Sequence, residues 1–153
     1  MNSLLDRSGS GSPQGWKRRG STLGALAALA FFGAIAYDVV ANGPRAQQVA
    51  TQLEHNLETV PVPTGTSKTG HHEGVKPRNV VVGNTFKTPL QRSAVVEHYA
   101  HALQQLGWAA CGEVPRSNGG SDSRFCKNKL VAHVEWAPNS DWDYALDLTW
   151  EGD

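Results

Sequence analysis

Apolar positions follow three different patterns along the chain, and each predicts a different kind of element. From Leu23 to Ala41 nearly every residue is apolar or glycine, with Asp38 the one charge. At 1.5 Å rise per residue that run reaches roughly 28 Å, close to the thickness of a hydrocarbon core, so it predicts a membrane span over residues 21–42. Asp38 sits near the far end of the run, where its carboxylate reaches the interface, and is read as tolerated.

Beyond Asn42-Gly43-Pro44, which should end or kink that helix, the pattern changes. Ala46, Val49, Ala50, Leu53 and Leu57 recur at three- and four-residue spacing and predict an amphipathic juxtamembrane helix over 43–58. Its apolar stripe needs a partner: the downstream domain, a second copy of the helix, or another envelope protein. Residues 59–77, punctuated by Pro61, Pro63, Gly65, Gly70, Gly74 and Pro77 with almost no apolar period, read as a flexible linker.

The third pattern fills residues 78–153. Asn79 to Phe86 is rich in β-branched residues and reads as a strand; Ser93 to Leu106 carries Val95, Val96, Tyr99, Ala102, Leu103 and Leu106 on one helical face, with Gly107 as the stop. Trp108–Val114 and Arg124–Lys127 form the strands of a hairpin. Leu130–Trp136 and Tyr144–Trp150 then alternate cleanly, with Leu130, Ala132, Val134 and Trp136 on one face and Val131, His133 and Glu135 on the other. The fold class is α+β: an N-terminal transmembrane helix, then a two-layer β-α-β-β-β-β domain with one helix packed on a mostly antiparallel sheet.

Charge sets the orientation. Arg7, Lys17, Arg18 and Arg19 lie in a Ser/Gly-rich leader, residues 1–20, with Asp6 as its counter-charge, so the positive-inside rule keeps that disordered leader cytoplasmic. The C-terminal domain then sits across the inner membrane, in the periplasm or an equivalent extracytoplasmic space. Ala34-Ile35-Ala36 offers an alternative, cleavage by signal peptidase and secretion. Lys plus Arg and Asp plus Glu are both 14, a net charge of zero that argues against nucleic-acid binding.

Cys111 and Cys126 are the two cysteines of the chain and fall on strands expected to pair. In an oxidising compartment they should form a disulfide whose loop of about fifteen residues contributes about 3 kcal/mol in the chain-entropy description. His98, His101 and Glu97, and separately His71-His72-Glu73, are solvated polarity rather than a metal centre, since a closed site needs three or four converging ligands. No nucleophile elbow or phosphate-binding glycine loop occurs, so neither an enzyme nor a cofactor is expected.

Trp136 and Trp142 flank the turn around Pro138 and are candidate interaction residues, together with His133 and Glu135 on the polar face of their strand. The expectation is a membrane-anchored extracytoplasmic interaction domain, such as an immunity protein or an accessory envelope or secretion subunit, with another envelope protein as partner. Gly20, Gly24 and Ala28, or the juxtamembrane stripe, would support self-association. Small-ligand binding on the face lined by Val131, His133 and Glu135 is the alternative class, ahead of a metal-dependent hydrolase.

Overall fold

A computed structural model describes residues 20–137 and 140–152, with side chains described from Val40 onward. Residues 1–19 of the expected leader, and the side chains of the expected membrane span up to residue 39, fall outside that set. Among the described residues no helix is long and apolar enough to cross a membrane. Asp38–Asp153 is one compact unit and holds every strand.

Eight elements follow in order: α1 (Gly20–Thr59), β1 (Ser67–Lys76), β2 (Asn79–Lys87), α2 (Arg92–Gln105), β3 (Ala109–Pro115), β4 (Ser121–Lys127), β5 (Leu130–Trp136) and β6 (Tyr144–Glu151). The strands form one fully antiparallel sheet in the order β1-β2-β6-β5-β4-β3. The α+β class is as the pattern predicts, but two details differ.

First, α1 does not stop at Asn42-Gly43-Pro44; Pro44 lies inside it. A proline in a helix interior costs about 3 kcal/mol in lost hydrogen bonding and steric conflict. The segment beyond it buries Ala46, Ala50, Leu53 and Leu57 in the main core, and full burial of a leucine contributes about 1.5–3 kcal/mol each. Packing therefore outweighs the break. Of the three partners the sequence offers for that stripe, the structure seats it on the domain's own sheet, so two helices cover the sheet rather than one.

Second, residues 67–76, expected as linker, are strand β1. Every residue of it but Gly70 is exposed, so it leaves no burial signal in the sequence. What holds it is pairing with β2, from Ser67↔Lys87 to Lys76↔Asn79, reinforced by side-chain hydrogen bonds from Thr69 to Thr85 and between His71 and Asn84. Edge-strand pairing of this kind needs no apolar period.

Alternation sorts the sheet into two faces. Val80, Val82, Phe86, Phe125, Ala132, Val134, Leu146, Leu148 and Trp150 enter one core cluster with Val95, Tyr99 and Leu103 of α2 and the stripe of α1. Tyr99 and Tyr144 join their hydroxyls at 3.1 Å across the helix-sheet seam, and burial pushes both phenols above their ordinary range. Asn128, at φ 55°, makes the two-residue turn between β4 and β5. Gly107, at φ 81°, follows α2 as the sequence predicts.

Cys111 and Cys126 are joined, with Cα atoms 5.8 Å apart. Cys111 is the extra residue of a β-bulge between Ala110 and Gly112, which brings it beside Cys126 on the next strand. The bond is compatible with an oxidising, extracytoplasmic location.

Candidate functional site on the open sheet face

The residues that alternate with the core positions point to the other face of the sheet, which neither helix covers. There the register lines up His72, Gly83, Asp147, His133 and Arg124 as one row across five strands. The neighbouring row places Glu135 opposite Asp122. Charged side chains crowd where an ordinary solvated face would hold isolated polar groups.

Two linked clusters result. In the first, Asp122 is almost wholly buried, its side chain 2% exposed, and accepts hydrogen bonds from Arg124 Nε at 2.8 Å and from His133 Nδ1 at 3.1 Å. The other ring nitrogen of His133 meets Thr149 Oγ1 at 3.2 Å, and that hydroxyl donates to the Val131 carbonyl at 3.3 Å. The imidazole is thus fixed at both ends. Arg116 pairs with Glu135 at 2.8 Å beside it.

In the second cluster, His72 Nε2 approaches Asp147 Oδ1 at 3.2 Å over Gly83. The approach is a charge contact without hydrogen-bond alignment, and Oδ1 is buried with no hydrogen-bond donor. Burial pushes the Asp147 carboxyl up to about 6. His72 and His133 pull it back toward its ordinary range, while Glu135 and Asp122 push it further up. A carboxyl so placed exchanges its proton near neutral pH and retains an unmet acceptor.

Gly83 is a requirement of this arrangement. A methyl group on its Cα would overlap Asp147 Oδ1 and meet the His72 ring at 2.7 Å. Gly83→Ala should therefore separate the pair and cost about 1–2 kcal/mol of stability. Urea unfolding checks this: an unchanged midpoint with an unchanged Asp147 carboxyl titration by NMR would show that the glycine is incidental.

The sequence-predicted residues divide between faces. His133 and Glu135 lie on the open face as their alternation predicts. Trp136 points to the helix-covered face, opposite Tyr144, and packs against the core; Trp142 is half-buried in the connection before β6. The structure therefore does not gather the four into one surface.

The histidine groups are dispersed as well. His98 donates to the Pro61 carbonyl at 2.8 Å, while His101 stays exposed beside Glu97. His71 faces α1, near Glu54, and its neighbour His72 faces the opposite side of the sheet. Among the described residues no three His, Cys, Asp or Glu side chains converge as metal ligands.

Asp122, Arg124, Asp147 and Thr149 belong to no motif, and His72 reads from the sequence as solvated polarity beside His71 and Glu73. On β6 the signal is period-two polarity, Asp147-x-Thr149 between buried Leu146, Leu148 and Trp150, whereas in β4 the run Ser121-Asp122-Ser123-Arg124 is polar throughout and carries no such period. Comparison with protein-family models, curated proteins and solved structures finds no match.

Proposed function

We propose that this protein is a membrane-tethered, extracytoplasmic interaction domain whose open sheet face docks a partner protein presenting a cationic or amide donor to Asp147. The observation that carries the reading is Asp147 itself, a carboxyl largely withdrawn from water on the face that neither helix covers: its Oδ1 is buried against His72, and the remaining 17% of the side chain is the part a partner can reach. Such a group costs stability, and perturbed carboxyls of this kind concentrate at functional sites. The fixed network of Asp122, Arg124, His133 and Thr149 supplies a rigid frame around it.

The tether rests on the basic leader and the apolar run at 23–41, and the disulfide agrees with an oxidising side of the membrane. Binding rather than turnover is the reading the geometry favours, because the Thr149 hydroxyl already donates to a main-chain carbonyl and Asp122 is already engaged by Arg124 and His133.

The test is photo-crosslinking in intact membranes. A photoreactive residue replacing Val131, which shares the open face, should capture a specific protein, whereas one replacing Trp142 should not. Asp147→Ala should reduce that capture about tenfold or more, the scale of one charge-assisted hydrogen bond. Capture at Trp142 alone, or capture at Val131 indifferent to Asp147→Ala, would overturn the assignment.

A further inference from the structure

The two edges of the sheet are built differently. β3 carries a bulge at Cys111, a disulfide to its neighbour strand and Pro115 at its end, devices that discourage pairing with another strand. β1 is ten residues long and exposed almost throughout, and it contains no proline. Its bulge lies near its start, between Lys68 and Gly70, and from Gly70 to Lys76 it pairs regularly with β2. Its outer side therefore offers a straight row of main-chain donors and acceptors.

We infer that the outer edge of β1 pairs antiparallel with β1 of a second copy of this chain, about a two-fold axis at His72, joining the two six-stranded sheets into one. The occupant follows from charge. A two-fold axis perpendicular to the sheet keeps both helix layers on one side and sets residues of like face opposite each other. Centred on His72, it places Glu73 of each copy opposite His71 of the other, and Gly70 opposite Gly74.

The neighbouring centres are poorer. Centring on Glu73 sets two carboxylates against each other, and centring on His71 leaves each Glu73 facing the bulge at Thr69. The favoured register also brings the two His72–Asp147 pairs side by side on the open face. The inference rests on the edge and not on the docking role proposed for that face.

Single cysteines introduced into the full-length chain in its membrane, followed by mild oxidation, read the register directly. Each variant is first checked by peptide mapping for an intact Cys111–Cys126 bond. His72→Cys, which faces itself across the axis, should give a disulfide-linked dimer as its main product on a non-reducing gel. His71→Cys and Glu73→Cys should each give at most one-tenth as much alone and recover the dimer when co-expressed. No dimer from His72→Cys, equal dimer from all three single variants, or linkage of His72→Cys to a different protein would each overturn the inference. Capture through Val131 is a separate readout, so failure of one reading leaves the other standing.

Discussion

Leu53→Ala should destabilise the domain by about 3 kcal/mol, although Leu53 lies in a helix that the sequence places beside the membrane rather than in the domain. Leu53 is fully buried and shares one cluster with the sheet residues Val82 and Leu148 and with Leu103 of α2. Truncating a leucine in such a site removes its transfer free energy and leaves a cavity, a loss of about 2–5 kcal/mol. Gln52, exposed on the same helix, is the control, and Gln52→Ala should change stability by less than about 0.5 kcal/mol. The check is the denaturation midpoint of the two variants. If Leu53→Ala behaved like Gln52→Ala, the α1 segment would not belong to the folding unit.

Asp147→Asn should do the opposite and stabilise the protein at neutral pH. Its carboxyl rises from an ordinary value of 3.8 to about 6 in the folded chain, with burial as the main cause. Between those values the folded state binds the proton more tightly than the unfolded state, so this group's contribution is complete below pH 4 and lost as pH rises through 6. The difference is about 2–3 kcal/mol at pH 7, on the scale of 1.36 kcal/mol for each pH unit. Asparagine has the shape of the protonated acid and cannot ionise. The parent should therefore lose stability relative to Asp147→Asn across pH 4–7, and the two should converge at the acid end. Parallel stability curves, or a variant less stable at pH 7, would show that Asp147 ionises in the fold without penalty. Gain in stability together with loss of capture at Val131 is the joint signature of a binding residue held at the expense of the fold.

Legibility in the sequence tracked burial. The strands β5 and β6 and helix α2 declare themselves because half their positions are driven into the core, which imposes period two or period 3.6 on the residue order. The disulfide was legible for a related reason: its two cysteines flank a loop between segments that both read as strands. β1 was not legible, since an edge strand exposed on both faces is held by main-chain pairing that any residue type can supply.

The continuation of α1 through Pro44 is not legible, because the local effect of proline is outweighed by a tertiary gain that the local sequence does not contain. On the open face, His133 and Glu135 were legible by alternation. The residues that share their face, Asp122, Asp147 and His72, lie 11, 14 and 61 residues from His133, respectively, and only sheet order brings them together. Trp136 is ambiguous in the sequence for the converse reason, since a tryptophan serves a core as readily as a surface, and here its ring packs against the core.

The position of β6 has a consequence for how the chain acquires its shape. β1 and β2 close on each other through a two-residue turn, and β3, β4 and β5 form a meander of near neighbours; these pieces can assemble from short-range contacts. β6 is the latest strand in chain order yet sits between them, pairing Asn79 with Glu151 on one side and Leu130 with Trp150 on the other. Until it arrives, hairpin and meander each expose an unfilled inner edge, the kind of surface on which incompletely folded chains adhere to one another. Insertion of β6 therefore closes both inner edges at once, and it carries the most distant pairing of the sheet, Asn79 with Glu151.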